Sequence, residues 1–198
     1  MNYKHALSTP IFEIISKSAE QLGFDSYAIG GFVRDFILDR DAKKDIDIVA
    51  IGSGIELAKR VSKNLPNNPK VQVFKTYGTA MIKYEGIDIE FVGARKESYS
   101  IDSRNPTIEG GSLEEDQNRR DFTINALAIS LNTTSYGDLL DPFNGISDIM
   151  SKRIKTPLEP AITYSDDPLR MLRAIRFATQ LNFTIDPASL KAIKEQSK

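Results

Sequence analysis

The segments SYAIGGFVRDFIL (residues 26–38) and KDIDIVAI (residues 44–51) decide how this chain folds. The first is a short apolar run that closes in Gly30-Gly31 and passes into a segment with helical spacing, so it predicts a strand, a glycine turn and a helix. Having no side chains, the two glycines let backbone N–H groups approach a phosphate, and the start of the helix adds favourable partial charge. Arg34, one turn into that helix, offers a planar donor fork suited to a triphosphate. The second segment alternates charged and apolar residues before turning fully apolar, which suits a strand exposed at one end and buried at the other. Alternation puts Asp45 and Asp47 on one face, and Ile46 and Ile48 on the other, toward the core. Two carboxylates this close repel unless a cation compensates, and hard oxygen ligands of this kind suit Mg2+ completed by substrate phosphates. Taken singly, the same residues also fit plainer roles: Asp45 and Asp47 as solvated acids beside Lys43 and Lys44, and Arg34 with Asp35 as surface charges.

Upstream, Thr9-Pro10 opens a predicted helix that Gly23 ends. Downstream, Ser53 caps a helix running to about Leu65. KVQVFK, GTAMIKY and GIDIEFVGA then read as three strands of a meander, with turns at Tyr77-Gly78 and Glu85-Gly86. In the last of these Asp88 and Glu90 share a face. If its strand shares a sheet with Asp45 and Asp47, either acid can join them, and three acids suit a two-metal site that stabilises both oxygens of an in-line displacement. Ser98 to Glu115 is polar and reads as a long loop. NRRDFTINALAIS (118–130) reads as a helix, LLDPFNG as a short strand and turn, and SDIMSKRI as a short helix or turn. Two further helices are expected at about 166–181 and 187–197. The expected division is a mixed domain over 1–156 and the start of a helical region over 157–198. The roughly 40 residues of the second part are too few to bury a core of their own, so they are expected to pack on the first or to be the beginning of a truncated region.

Composition narrows the chemistry. The 198 residues carry 26 Lys+Arg against 27 Asp+Glu, so any nucleic-acid contact must come from a local cluster of positive charge. The absence of Cys excludes disulfides, thiolate catalysis, iron–sulfur clusters and Cys-type zinc sites. The single His, His5, leaves little material for a Ser-His-Asp triad or a His-rich metal site. An enzyme of this composition works with carboxylates and arginines. No stretch approaches the roughly 20 apolar residues that span a membrane, and the first ten residues lack the apolar core of a signal peptide, so a cytoplasmic protein is expected.

In DDPLRMLRAIRFA (166–178), Asp167, Arg170, Arg173 and Arg176 recur every three residues, a stripe that drifts about 60° per step around a helix. Met171, Ile175 and Ala178 fall on the opposite side, which places the arginines outside the core. A solvated helix face has the same look. Asp167 and Arg170, one turn apart, also set an acceptor beside a donor fork, matching the Watson–Crick edges of cytosine and adenine. Uracil and guanine present the reverse pattern and would leave polar groups unpaired, at about 1–3 kcal/mol each.

Taken in order, GGFVRD, KDIDIV, EEDQNRRDFTINALA, LLDPFNG and DDPLRMLRAIRFA resemble the head and early neck of the class II tRNA nucleotidyltransferases (CCA-adding enzymes) and bacterial poly(A) polymerases. The resemblance implies an α+β fold: a polymerase-β-like nucleotidyltransferase palm, made of a mixed sheet with flanking helices, followed by a short all-α neck segment. It also implies two catalytic Mg2+ ions and an incoming CTP or ATP whose base is read by amino acids. On the matching positions, Gly31 and Arg34, with Gly30 beside them, go to the triphosphate, and Asp45 and Asp47 go to the metals. Glu90 becomes the third carboxylate and Arg120 a nucleotide contact, while Asp121 and Asn125, on the same predicted helix, shape the pocket. Asp167 and Arg170 become the base-reading pair, with Arg173 and Arg176 as further nucleotide contacts. Two positions depart from the family pattern: Asp166-Asp167 replaces the usual Glu-Asp, and Asp39-Arg40 stands where Gly-Arg is frequent. The implied reaction adds CMP and AMP to an RNA 3′ end, tRNA in the first place, with no membrane or protein partner. A poly(A) polymerase shares every motif quoted, and a nucleotide-binding fragment without turnover is the reading from a different class.

Overall fold

The computed structural model of the chain describes residues 1–40, 45–100 and 103–197, and the side chains of all of these except 96–100 and 103–109. Lys43 and Lys44, considered above as neighbours of the paired acids, lie outside the described residues. Pro10 opens α1 (Pro10–Leu22), and Gly23 ends it in the left-handed conformation at φ +69°. Then come β1 (Ser26–Ile29), α2 (Gly31–Ile37) and β2 (Asp45–Ala50), the predicted strand, glycine turn, helix and strand. The residue after Leu38, where the resembling family often has Gly, is Asp39 at φ +50°, a conformation that glycine adopts without strain. The Ser53 hydroxyl accepts from the Glu56 N–H at 3.2 Å and caps α3 (Gly54–Asn64). The meander follows as β3 (Val71–Phe74), β4 (Thr79–Tyr84) and β5 (Ile87–Gly93).

Among the described residues, seven strands form one mixed sheet in the order β3-β4-β5-β2-β1-β8-β9, where β8 is Ala128–Ser130 and β9 is Leu139–Leu140. Only the central pair β2–β5 is parallel. A parallel pair needs a long crossover, and α3 with the β3–β4 hairpin supplies it. One face buries Ile46 and Ile48 of β2, Ile89 and Phe91 of β5, and Ala80 and Ile82 of β4 against Ile11, Phe12 and Ile15 of α1 and Leu57, Ala58 and Val61 of α3. The pleat therefore turns Asp45, Asp47, Asp88 and Glu90 to the other face. That face is covered over its centre, where Leu113 packs with Ile29, Val49, Ala94 and Ala128.

Two expectations need correction. The polar stretch read as a loop contains the antiparallel pair β6 (Arg95–Ser100) and β7 (Ser103–Gly110), followed by α4 (Leu113–Asn118). Pairing satisfies backbone groups whatever the polarity of the side chains, so composition does not reveal it. The helix expected over 118–130 is replaced by the end of α4, a single 3-10 turn at Thr123–Asn125, and β8. Phe122, Ile124, Leu127, Ala128 and Ile129 are all fully buried, because the segment threads through the interior instead of lying on it. Its backbone is satisfied from outside: Thr123 N–H donates to the Lys155 carbonyl, and the Gln117 amide donates to the Ala126 carbonyl at 2.6 Å.

The C-terminal region contains α5 (Gly145–Met150), β10 (Arg153–Ile154), α6 (Pro160–Asp166), α7 (Leu169–Leu181), β11 (Thr184–Ile185) and α8 (Pro187–Gln196). Tyr164, Ala174, Leu181, Phe183 and Ala192 of this region belong to the same core as the sheet, and β10 and β11 add a parallel two-strand link. The orientation of α7 differs from the expectation: it buries Arg170, Ala174 and Leu181, and leaves Leu169, Leu172 and Ile175 exposed. An arginine can replace an apolar residue on the inner face because backbone oxygens meet it there. Arg170 Nη2 donates to the Arg119 carbonyl at 2.7 Å, and Nη1 to the Thr163 carbonyl at 3.4 Å.

Candidate active site

Parallel register sets Asp47 beside Glu90 and Asp45 beside Asp88. An open cleft of about 300 Å3 lies over this pair of strands, and Asp47 and Glu90 line it together with Val92, Arg95, Arg119, Arg120, Asp121, Asp167, Arg170 and Arg173. Asp45 sits at the exposed start of β2, on the same face but outside the lining. Asp88, the alternative third acid, is held by Lys83 at 3.4 Å and also stays outside. Among the described residues no three His, Cys, Asp or Glu side chains converge closely enough to hold an ion unaided. The donor set fits an ion such as Mg2+, which takes one or two protein carboxylates and completes its shell with phosphate oxygens and water.

Gly30 shapes the wall next to these acids. It has φ +80°, and a Cβ built on it would stand 3.2 Å from Asp47 Oδ2 and 3.3 Å from Arg120 Nη1. The missing side chain is the space in which a carboxylate and a guanidinium come together beside the start of α2, which Gly31 opens. Gly30→Ala is expected to destabilise the protein by about 1–2 kcal/mol through left-handed strain. That is a fall of roughly 2–8 °C in thermal midpoint for a chain of this size. A midpoint equal to the parent's would mean that the turn relaxes and is not a constraint.

The arginine wall is built by Asp116, fully buried on α4. Its Oδ1 accepts from Arg119 Nη2 at 2.6 Å and Nε at 3.1 Å, and its Oδ2 accepts from Arg120 Nη2 at 3.1 Å and Nε at 3.2 Å. One carboxylate thus aims two guanidiniums into the cleft. Sequence patterning missed Asp116, Arg119 and Arg95; the only sign of the first two is the spacing i, i+3 and i, i+4 from Asp116 to the Arg doublet.

A second network runs beneath the cleft, and it relocates Arg34. This residue is 1% exposed. Its Nε and Nη2 donate to both oxygens of Asp35 at 2.8 and 3.0 Å, and its Nη1 donates to Asn125 Oδ1 at 2.6 Å. Asn125 Nδ2 donates to Asp121 Oδ1 at 3.0 Å, and Asp121 Oδ2 accepts from Arg173 Nε at 2.7 Å. Arg34 and Arg173 both lie over the Phe177 ring, at 5.1 and 5.3 Å. Arg34, expected to grip a triphosphate, is thus an internal tie between α2 and α7, and Asn125 is a buried link in the same chain. Asp121 and Arg173 are its ends that reach the cleft. Neither Asp121 nor Asn125 lies on a helix of the predicted kind, since that stretch is a turn and a 3-10 segment.

The base-reading candidates are brought together: Arg170 Nε stands 4.0 Å from Asp167 Oδ2, and the carbonyls of Arg119 and Thr163 fix the guanidinium. Asp167 Oδ1 accepts from the Leu169 N–H at 3.0 Å, which orients its carboxylate across the start of α7. Arg176 is exposed and does not line the cleft.

Comparison with known proteins agrees with this architecture. Residues 26–155, more than half of the chain, match the model of the poly A polymerase head domain. The chain is 42% identical over 170 residues to the A-adding tRNA nucleotidyltransferase of Aquifex aeolicus, a match spanning 86% of this chain and 20% of that protein. It is 36% identical over 195 residues to the CCA-adding enzyme of Staphylococcus epidermidis, spanning 96% of this chain and 46% of that one. Its fold superposes, with a TM-score of 0.79 and 38% identity, on a tRNA nucleotidyltransferase solved with a primer tRNA and an incoming ATP analog, covering 91% of this chain and 49% of that one. The chain thus spans less than half the length of the relatives it matches. On its fold, the placement of its acids and arginines, and the match over residues 26–155, the chain belongs to the poly A polymerase head-domain family.

Proposed function

We propose that this chain transfers CMP and AMP from CTP and ATP to the 3′ end of a tRNA, building or repairing its CCA end and releasing pyrophosphate. The observation that carries this reading is the pairing of Asp47 with Glu90 at the floor of a cleft walled by Arg95, Arg119, Arg120, Arg170 and Arg173. Asp47 and Glu90 on the sheet, facing five guanidiniums of which Asp121 and Asp167 pair with two, suit a polyphosphate carried with its counter-cations. The relatives, an A-adding tRNA nucleotidyltransferase and a CCA-adding enzyme, support tRNA over poly(A) synthesis. CTP, ATP and tRNA are cytoplasmic reactants, so a cytoplasmic setting is part of the proposal, and no described helix is long and apolar enough to cross a membrane.

The chain's own residues divide the work. Arg119 and Arg120, aimed by Asp116, neutralise the triphosphate and orient its α-phosphate above β2. Asp45 and Asp47 would hold the Mg2+ ions, and bound metal would supply Lewis-acid stabilisation of the attacking and leaving oxygens. Glu90 accepts a hydrogen bond from the 3′-hydroxyl of the RNA and directs it in line with the α-phosphorus. That oxygen forms the new P–O bond as its proton passes to Glu90 and the bond from the α-phosphorus to the bridging oxygen breaks, releasing pyrophosphate. Arg173, held by Asp121 and stacked on Phe177, closes the wall on the α7 side.

Asp167 and Arg170 select the base. Because Arg170 is anchored before any ligand arrives, its remaining donors and the Asp167 acceptor form a preorganised edge that suits cytosine and adenine. Binding of CTP and ATP in Mg2+ is expected to exceed that of UTP and GTP by about 5- to 150-fold, the equivalent of one unpaired buried group. Asp167→Ala is expected to level the four affinities. Equal binding of all four nucleotides by the parent chain would remove the base-reading role, and sequencing the 3′ ends of extended tRNA would show whether C and A, or A alone, are added.

A further inference from the structure

The cleft continues toward the β3 edge of the sheet. A second concavity of about 410 Å3, lined by Phe74, Tyr77, Thr79, Met81, Glu90 and Arg95, adjoins it and shares Glu90 and Arg95 with it. Sheet register explains the continuity. Met81 pairs with Glu90, Thr79 with Val92, and Phe74 with Thr79, so Phe74, Thr79 and Met81 project from the same face as Glu90 and Asp47. With strands about 4.8 Å apart, Phe74 stands two strands, roughly 10 Å, from the row that carries Glu90. One nucleotide bridges such a distance.

Over β2, β4 and β5 the sheet is covered by α1 and α3 on one face, and Leu113 of α4 packs on Ile29 and Val49 on the other. Phe74 and Tyr77 are instead 43% and 65% exposed. Exposed rings beside a polyphosphate cleft suit the stacking of unpaired bases, which any base can provide with its π face. Positive charge accompanies them: Arg95 donates to the Tyr77 carbonyl at 3.4 Å, and Lys75 is exposed in the same turn. Both are placed to meet a backbone phosphate.

We propose that Phe74 and Tyr77 form a stacking platform for the 3′-terminal nucleoside of the acceptor RNA and hold its 3′-hydroxyl toward Glu90. The proposal rests on the nucleotidyltransferase reading of the cleft and adds the place of the second substrate. The shared Glu90–Arg95 boundary favours an RNA end over a peptide added to the β3 edge, because a peptide there would have no reason to approach the nucleotide cleft.

The test is a short RNA hairpin with a single-stranded 3′ overhang whose last base is 2-aminopurine, a fluorophore quenched by stacking. Titration with the parent chain is expected to give saturable quenching. Replacing both side chains, Phe74→Ala with Tyr77→Ala, is expected to weaken binding by about 5- to 150-fold for each base stack lost, whereas Tyr77→Phe retains it. Both side chains lie outside the nucleotide cleft, so Mg2+-dependent CTP binding of the double variant should equal the parent's, and the thermal midpoint should fall only by the packing that the half-buried Phe74 ring loses. Unchanged quenching and affinity in the double variant would overturn the platform. So would equal quenching of a probe moved to the 5′ end, which is the result expected from general adhesion of RNA. A parent chain that binds neither CTP nor ATP but shows the variant-sensitive 3′ quenching would overturn the nucleotidyltransferase reading and leave the platform as an RNA-end site.

Discussion

Asp47→Ala is expected to lower nucleotide incorporation into a tRNA lacking its CCA end by about three orders of magnitude and to leave the fold intact. Of the four acids on that face, Asp47 alone both lines the space that a side chain on Gly30 would fill, with Oδ2 3.2 Å from such a Cβ, and pairs in register with Glu90 on the neighbouring strand. On the proposed reading its carboxylate would hold a divalent cation against the triphosphate, and loss of that charge stabilisation would remove several kcal/mol from the transition state, at 1.36 kcal/mol per tenfold in rate. Stability should fall far less than activity, because Asp47 lines an open cleft where water can reach the groups it leaves, and its loss relieves repulsion with Glu90. Asp88→Asn is the matched control. It lies on the same face but pairs with Lys83, so incorporation should change little. Retained turnover in Asp47→Ala, or equal loss in both variants, would remove Asp47 from the reacting centre.

Arg34→Met is expected to have the opposite signature, a large loss of stability. Arg34 and Asp35 are 1% and 2% exposed, and the guanidinium also satisfies Asn125. Deleting one partner of a buried pair costs about 3–5 kcal/mol, and Asp35 would lose both of its short bonds to the guanidinium and keep its ion pair with Arg40 at 4.0 Å. For a chain of this length that is a fall of roughly 10 °C in thermal midpoint. Arg173→Ala, which removes a half-exposed arginine at the other end of the same network, should shift the midpoint far less, since exposed pairs contribute about 0–1 kcal/mol. If Arg34→Met melted with the parent and lost only nucleotide affinity, Arg34 would be a ligand contact after all.

These two residues show where sequence is legible. Asp45 and Asp47 reveal their common face through strict alternation with Ile46 and Ile48, because a strand with one buried side has a period of two and no freedom to turn. The glycine turn, the caps at Ser53 and Gly23 and the β3–β5 meander follow from equally local rules. Arg34 and Arg170 defeat such rules. Pattern alone treats an arginine as a surface or ligand-facing group, yet both are buried here because Asp35, Asn125 and two backbone carbonyls happen to meet them. Those partners lie up to 91 residues away in the chain. The apolar run from Phe122 to Ile129 misled for a related reason: a segment buried on every side shows no periodicity to tell a helix from a threaded turn and strand.

By itself the sequence determined the chemistry available, carboxylates and arginines without cysteine, and the local units that carry it: strand, glycine turn, helix and an acidic strand. Only the tertiary structure decided which of these groups meet. Glu90 rather than Asp88 reaches the cleft because the parallel β2–β5 register pairs it with Asp47 and leaves Asp88 beside Lys83. Register between strands about 40 residues apart depends on how the helices and hairpin between them pack, and alternation within one strand contains no information about it.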